Sequence, residues 1–235
     1  MYKNKKILAI TLARGGSKAI KNKNIINLNK KPLISYTINE AKKSRYIDEY
    51  IISTDSIKIK KIALKFGAKV PFMRPKKYST DKATSVDALV HAVKWVELNN
   101  KTKYDYIIEL MCTNPLKKVE DIDKIIRKIV NTNADSVIAI HKLEDHHPIR
   151  IKKIVNDKIV DFILKEIPET RRQDLKPIAF IRSGSIYALK RQHLMIEKLR
   201  YGSNNSRPYI LPENRAINID TIADLYAAEK IIADG

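Results

Sequence analysis

The sequence has 235 residues, a formal net charge of +20 at pH 7 and one cysteine. This length suits one α/β domain with an appendage, or two small domains, and the hydrophobic content of 44% is enough for a core. No apolar run approaches the ~18 residues of a membrane span, and the first residues do not predict a signal peptide. The single cysteine, Cys112, cannot form an internal disulfide, which predicts a cytoplasmic location.

The positive charge by itself suggests a nucleic-acid partner. The lysines are spread along the whole chain, however, and no aromatic RNA-binding motif, zinc knuckle or basic zipper is present. We therefore interpret most lysines as a solvated surface, and we expect neither a nucleic acid nor a membrane as partner.

Apolar runs and helical periodicities alternate along the chain, which favours a Rossmann-like, mostly parallel α/β sheet with helices on both faces. Strands are predicted at residues 5–12, 50–54, 70–73, 106–111, 134–140, 178–189 (with an irregularity near Gly184) and 216–219. Helices are predicted at residues 32–44, 57–66, 85–98, 119–130 and 221–233.

The alternation is interrupted after residue 140. Residues 149–155 and 158–162, joined by Asn156 and Asp157, predict a β-hairpin, and residues 166–176 are polar and irregular. We predict an α/β core made of residues 1–140 and 178–235, with a small inserted segment at residues 141–177.

Residues 13–21 follow the first predicted strand and have the composition of a polyanion site. Gly15 and Gly16 let backbone N–H groups approach a phosphate closely, and the cations around them neutralise its charge. The spacing fits neither a P-loop nor a dinucleotide fingerprint. Asp220, at the end of the last predicted strand, is either a Mg²⁺ ligand or a carboxylate favoured by the dipole of the following helix.

These residues resemble the signature of the CMP-sialic acid synthetases (acylneuraminate cytidylyltransferases). The resemblance is carried by residues 13–18 and 21–24 and, in order, by the blocks at 31–34, 53–55, 74–75, 81–91, 146–148, 171–173, 184–187 and 219–225. It implies a fold of the nucleotide-diphospho-sugar transferase type and an enzyme that is a cytidylyltransferase. CTP and a nonulosonic acid would give a CMP-sugar and pyrophosphate, with Mg²⁺ as cofactor.

The resemblance also implies roles for individual residues. Catalytic roles fall to Lys21, Arg14 and Asp220, and metal binding to Asp220 and Asn218. The residues that would bind the nucleotide are Ala13, Arg14, Gly15, Gly16, Ser17, Lys21, Asn22, Arg74 and Ser85. The residues that would bind the sugar acid are Thr113, Asn114, Arg150, Arg172 and Gln173. The inserted segment would form a homodimer and complete the partner's active site in trans.

Three positions depart from the family pattern. Asn218 replaces a common aspartate, Met111 replaces a sugar-facing glutamine, and Ile181 stands where an arginine is expected, with Arg182 one place later. The sugar is therefore left open between N-acetylneuraminate and a legionaminic-type, pseudaminic-type or other nonulosonic acid. A Kdo-type cytidylyltransferase and a catalytically weakened CTP-binding member are the alternatives.

Overall fold

The computed structural model describes residues 1–143, 146–167 and 170–234. The strands in these ranges are β1 (Ile7–Leu12), β2 (Asn27–Leu28), β3 (Lys31–Pro32), β4 (Glu49–Ser53), β5 (Tyr106–Leu110), β6 (Ser136–Lys142), β7 (Lys152–Val155), β8 (Lys158–Asp161), β9 (Phe180–Lys190) and β10 (Ser206–Ile210). The α-helices are α1 (Leu33–Lys43), α2 (Ile57–Lys65), α3 (Ser85–Asn100), α4 (Val119–Thr132), α5 (Arg191–Met195) and α6 (Ile222–Asp234). None of these helices is long and apolar enough to cross a membrane.

Six strands form one sheet in the order β10-β6-β9-β5-β1-β4. Strand β9 is antiparallel to both of its neighbours, and the other neighbouring pairs are parallel, which confirms the predicted mostly parallel α/β sheet. Because β1, β4 and β5 run in the same direction, their carboxyl ends meet at one edge of the sheet. Ligands of open α/β folds bind at this edge.

The core lies on both faces of the sheet, so the central strands are apolar at nearly every position. On one face Ile7 and Ile108 pack in the same cluster as Ile125 of α4. On the other face Leu8 packs in the same cluster as Val93 of α3. The two helices thereby hold the sheet from opposite sides.

Two predicted strands are wrong. Residues 70–73 form no strand: only isolated bridges at Lys69 and Met73 pair them with the chain near β4, and Pro71 between them lacks an N–H donor. Residues 216–219 also form no strand. They follow a short 3-10 turn, Glu213–Arg215, and are held by contacts to the loop after β5 rather than by a strand ladder.

The sheet ends on one side in strand β10, which lies next to β6 and was not predicted from the sequence. It pairs in parallel with β6, and it contains Pro208. A proline is tolerated there because an edge strand has one side without a ladder partner.

The predicted hairpin is confirmed. Strands β7 and β8 are antiparallel, with Ile154 opposite Ile159, and they form a sheet separate from the six-stranded one. Asn156 and Asp157 both have positive φ, at 49° and 60°, as a two-residue hairpin turn requires.

Candidate active site

A cavity of about 350 Å³ lies beside the carboxyl ends of β1 and β5. Its size falls within the usual range for small-molecule sites. The predicted site residues in its lining are Arg14, Ser17, Arg74, Ser85 and Thr113. A larger cavity, of about 750 Å³, is lined by residues of α1, α6 and the 115–118 segment and by none of the predicted site residues.

The loop after β1 is held from several sides. The N–H of Ala13 donates to the Ser53 carbonyl, and the N–H of Gly15 donates to the Asp55 carboxylate at 2.8 Å. A Cβ at residue 15 would lie 3.0 Å from the Cβ of Ser56, which is tighter than ordinary van der Waals contact, so this close approach favours glycine. The loop is thus placed by its contacts before any ligand arrives.

Arg14 and Lys18 share one carboxylate, that of Asp81. The distances are 2.9 Å from Arg14 Nη1 to Asp81 Oδ1 and 2.7 Å from Lys18 Nζ to Asp81 Oδ2. Hydrogen bonds from Lys18 and Arg14 hold the pKa of Asp81 below its ordinary value. The carboxylate is half-exposed, so these ion pairs are solvent-screened and an incoming polyanion could compete for both cations.

Arg74 is a buried cation without a partner for most of its charged group. Its side chain lies in the cavity lining, and the residue is only 6% exposed. Its Nε and Nη2 are buried and have no hydrogen-bond partner among the described residues. Burial lowers the pKa of Arg74. A buried guanidinium is costly unless it is paired, so this group is suited to an anionic or strongly polar ligand.

Glu109 and Arg200 form a buried ion pair that sequence reasoning missed. Arg200 Nη2 donates to Glu109 Oε2 at 2.5 Å, and the guanidinium stacks 4.0 Å from the centre of the Tyr187 ring. Glu109 lines the cavity, and burial raises the pKa of its carboxyl group. The available signal was one acidic residue inside the otherwise apolar strand β5.

Asp220 forms an ion pair with Lys23, and Lys23 lines the cavity. Lys23 Nζ is 2.7 Å from Asp220 Oδ1, and the carboxylate is 61% exposed. The N–H groups of Asp220 and Thr221 both donate to Asp224 at the start of α6. Lys23 and Asp224 were not among the predicted site residues.

Asn218 presents its amide N–H₂, rather than its oxygen, to Asp220 Oδ2. Its Oδ1 is buried without a partner among the described residues and packs against Gly184, where an added Cβ would lie 3.0 Å away. The positive φ of Gly184, 60°, coincides with the predicted irregularity in β9. In this arrangement the Asn218 amide nitrogen orients the Asp220 carboxylate. Asn218 could bind a metal only if its side-chain amide rotated so that Oδ1 and Nδ2 exchanged places.

Thr113 and Asn114 follow β5 but face different ways. Thr113 lines the cavity. Asn114 is fully buried: its amide donates to the carbonyl oxygens of Arg215 and Ile217, both at 2.9 Å, and its oxygen accepts from Ser185. Asn114 therefore holds the neighbouring segment, and its predicted contact with the sugar acid has no geometric support within this chain.

Five further predicted residues, beyond those described above, also lie outside the lining of this cavity. Lys21 and Asn22 are exposed and outside its lining, with Asn22 in the left-handed region at φ 55°. Arg172 and Gln173 line a separate cavity of about 230 Å³. Arg150 donates to the Thr170 carbonyl.

Residues 8–199 match the model of a protein family described as Cytidylyltransferase. The chain belongs to this cytidylyltransferase family. A relative named pseudaminic acid cytidylyltransferase, from Campylobacter jejuni, is 34% identical over 225 residues, which cover 95% of each protein. Relatives named CMP-N,N'-diacetyllegionaminic acid synthase are 32% identical in Campylobacter jejuni and 31% identical in Legionella pneumophila. Each match covers 97% of this chain, together with 95% of the Campylobacter protein and 96% of the Legionella protein.

Solved structures of other cytidylyltransferases share the fold. A CMP:2-keto-3-deoxy-manno-octonic acid synthetase complexed with CTP has a TM-score of 0.69 at 20% identity, covering 97% of this chain and 99% of its own. A 4-diphosphocytidyl-2C-methyl-D-erythritol synthase from Anaerococcus prevotii has a TM-score of 0.65 at 16% identity, covering 97% and 96%. These likenesses confirm the predicted fold type.

Proposed function

We propose that this cytidylyltransferase transfers CMP from CTP to a nonulosonic acid and releases pyrophosphate. The anomeric hydroxyl of the sugar acid attacks the α-phosphorus of CTP, the new P–O bond forms, and the bond to pyrophosphate breaks. The hydroxyl proton passes to solvent water in the same reaction. The observation that carries the proposal is the Arg74 guanidinium, whose Nε and Nη2 are buried without a partner among the described residues, in a cavity that Arg14, Ser17 and Ser85 also line.

Each cation near this cavity has a role in the proposal. Arg74 and Ser85 hold the cytidine part, and Arg14 binds the triphosphate after release from Asp81. Lys21 lies on the same loop, exposed, and would swing to the reacting phosphate when the substrate binds. Charge builds on the α-phosphate and on the departing pyrophosphate, so these cations stabilise the transition state more than the ground state.

Asp220 fits a magnesium site of the kind that uses few protein ligands. Magnesium in phosphoryl-transfer enzymes takes one or two carboxylates and fills its other positions with water and substrate phosphates. Asp220 offers an exposed carboxylate next to the cavity, and a triphosphate could take over its partner Lys23. No group of three or more acidic, histidine or cysteine ligands occurs among the described residues. Bound Mg²⁺ would neutralise phosphate charge.

We propose that the sugar acid binds where Glu109 lines the cavity. Glu109 and Met111 line the cavity, and Arg200 adjoins it through its contacts with both. Relatives of this chain are named for pseudaminic and diacetyllegionaminic acids. We propose a nonulosonic acid of one of these two types as the substrate, because relatives that are 31–34% identical to this chain are named for them.

We propose further that the enzyme is a homodimer through the inserted hairpin. Ile154 and Ile159 pair across the hairpin and are 78% and 77% exposed, and Ile163 and Ile167 beyond it are 79% and 71% exposed. A two-stranded hairpin is marginal alone, and so large an apolar surface is typical of an interface. A second copy would place Arg150, Arg172 and Gln173 near its partner's cavity. The buried free thiol of Cys112 fits a cytoplasmic location.

Pyrophosphate release tests the reaction. The protein is incubated with CTP and Mg²⁺ and, separately, N-acetylneuraminate, diacetyllegionaminate, a pseudaminate and Kdo. We expect release with a nine-carbon acid. Release with Kdo alone would assign the chain to the Kdo-type enzymes, and CTP binding without release would indicate a weakened member.

The dimer has its own test. Sedimentation should give a dimer for the wild type and a monomer for Ile154→Glu. The exposed Leu98 is the control: Leu98→Glu should stay dimeric. A wild-type monomer at assay concentration contradicts completion of the site in trans.

A further inference from the structure

Lys117 is a buried cation to which the proposed reaction gives no role. It is 1% exposed. Its Nζ donates to Thr37 Oγ1 at 2.8 Å, to the carbonyl oxygen of Met111 at 2.7 Å, and also to the carbonyl oxygen of Asn114. These acceptors match the three N–H groups of an ammonium. Lys117 is therefore fully paired by protein atoms and needs no ligand.

Two of the three acceptors, the carbonyl oxygens of Met111 and Asn114, belong to the segment after β5 that builds one wall of the cavity. Met111 and Thr113 line the cavity, and the carbonyl oxygen of Thr113 accepts from the N–H of Ile219 at 2.7 Å. Asn114 binds the carbonyl oxygens of residues 215 and 217. The contacts of Lys117 thus reach the cavity wall on one side and the residues just before Asp220 on the other.

We propose that Lys117 is a positioning residue for the CTP site. Its Nζ holds the carbonyl oxygens of Met111 and Asn114 so that the cavity wall and the Asp220 segment keep one arrangement; this rests on the proposed function. An apolar side chain at residue 117 removes the Lys117 donor from the carbonyl oxygen of Asn114 and leaves that of Met111 only the 3.4 Å hydrogen bond from Thr37 Oγ1, so the segment must move to satisfy them. A neutral amine keeps the arrangement, since it donates to two carbonyls and accepts from the Thr37 hydroxyl.

Steady-state kinetics of Lys117→Met separate positioning from mere stability. A merely structural role lowers the melting temperature and the active fraction, which scales kcat and leaves KM unchanged. A positioning role raises KM for CTP, by ~10-fold or more, because small displacements of site groups weaken binding and catalysis steeply. The exposed neighbour provides the control: Lys118→Met should keep the wild-type KM.

A second variant covers the case in which Lys117→Met does not fold. Thr37→Val keeps the shape of the side chain but removes one partner of Lys117, together with the hydrogen bond that Thr37 Oγ1 donates to the Met111 carbonyl oxygen. It should raise KM for CTP by ~3-fold. Wild-type KM values in the folded variants overturn the proposal, whether or not stability falls. Turnover of the wild type is measured first, so failure of the proposed function shows as no wild-type reaction. In that case the dissociation constant of CTP replaces KM in the comparison.

Discussion

Replacing Arg74 by methionine should stabilise the free protein and weaken CTP binding. The guanidinium has two buried nitrogens without partners among the described residues, and an unsatisfied buried polar group costs ~1–3 kcal/mol. Methionine has similar length and no charge, so we expect a gain of about 2 kcal/mol, or roughly 4–8 °C in melting temperature for a chain of this size.

The same change removes a charged hydrogen-bond donor from the nucleotide site. Hydrogen bonds to charged groups contribute ~1.5–3 kcal/mol, so the loss of one should increase the dissociation constant of CTP by ~10–100-fold. Differential scanning calorimetry measures the first effect, and isothermal titration calorimetry with CTP and Mg²⁺ measures the second. The two effects have opposite signs, which general damage to the fold cannot produce.

Arg191 provides the matched control. Its Nε and Nη2 each lie 2.7 Å from a carboxylate oxygen of Glu97, at the opposite edge of the sheet from the cavity. Arg191→Met leaves the Glu97 carboxylate without its cation and with only the hydrogen bond from the Tyr104 N–H, so it should lower the melting temperature and leave CTP affinity unchanged. The reasoning about Arg74 is refuted if Arg74→Met destabilises the protein as Arg191→Met does, or if it binds CTP as tightly as the wild type.

Three further predictions concern the loop, the metal and pH. Lys21→Ala should reduce pyrophosphate release by ~100-fold at unchanged melting temperature, whereas the exposed Lys58→Ala should not; normal turnover would remove Lys21 from the reaction. Asp220→Asn should raise the Mg²⁺ concentration for half-maximal turnover by ~10-fold or more, and an unchanged titration would reject the assignment. Burial lowers the pKa of Lys117 to about 7, from an ordinary value of 10.5. Between pH 7 and 9 the side chain is therefore mostly neutral in the folded protein and protonated in the unfolded chain, so the free energy of unfolding rises with pH. Urea unfolding should show a gain of roughly 2 kcal/mol for the wild type relative to Lys117→Met over that range, and a constant difference would contradict this account.

The cavity was predictable from the sequence because strand ends can be read locally. Arg14, Arg74 and Thr113 each follow an apolar stretch that ends in a turn, and co-directional strands bring such residues to one edge. The structure places all three in one cavity lining.

Long-range pairing was not predictable. Glu109 and Arg200 are 91 positions apart, and no local pattern indicates that one neutralises the other. Ile217 and Ile219 look like part of a strand because they are apolar, but contacts to Asn114 and Thr113 hold their backbone. Edge strand β10 carries a proline, which sequence rules take as evidence against a strand.

Mass spectrometry of the reaction products tests the central claim most directly. The wild-type protein is incubated with CTP, Mg²⁺ and a pseudaminate or diacetyllegionaminate, and the products are followed with time. Our account predicts a CMP-sugar that forms in equal amount with pyrophosphate. Free CMP with pyrophosphate, or unchanged CTP in a sample shown to bind CTP, would contradict the account.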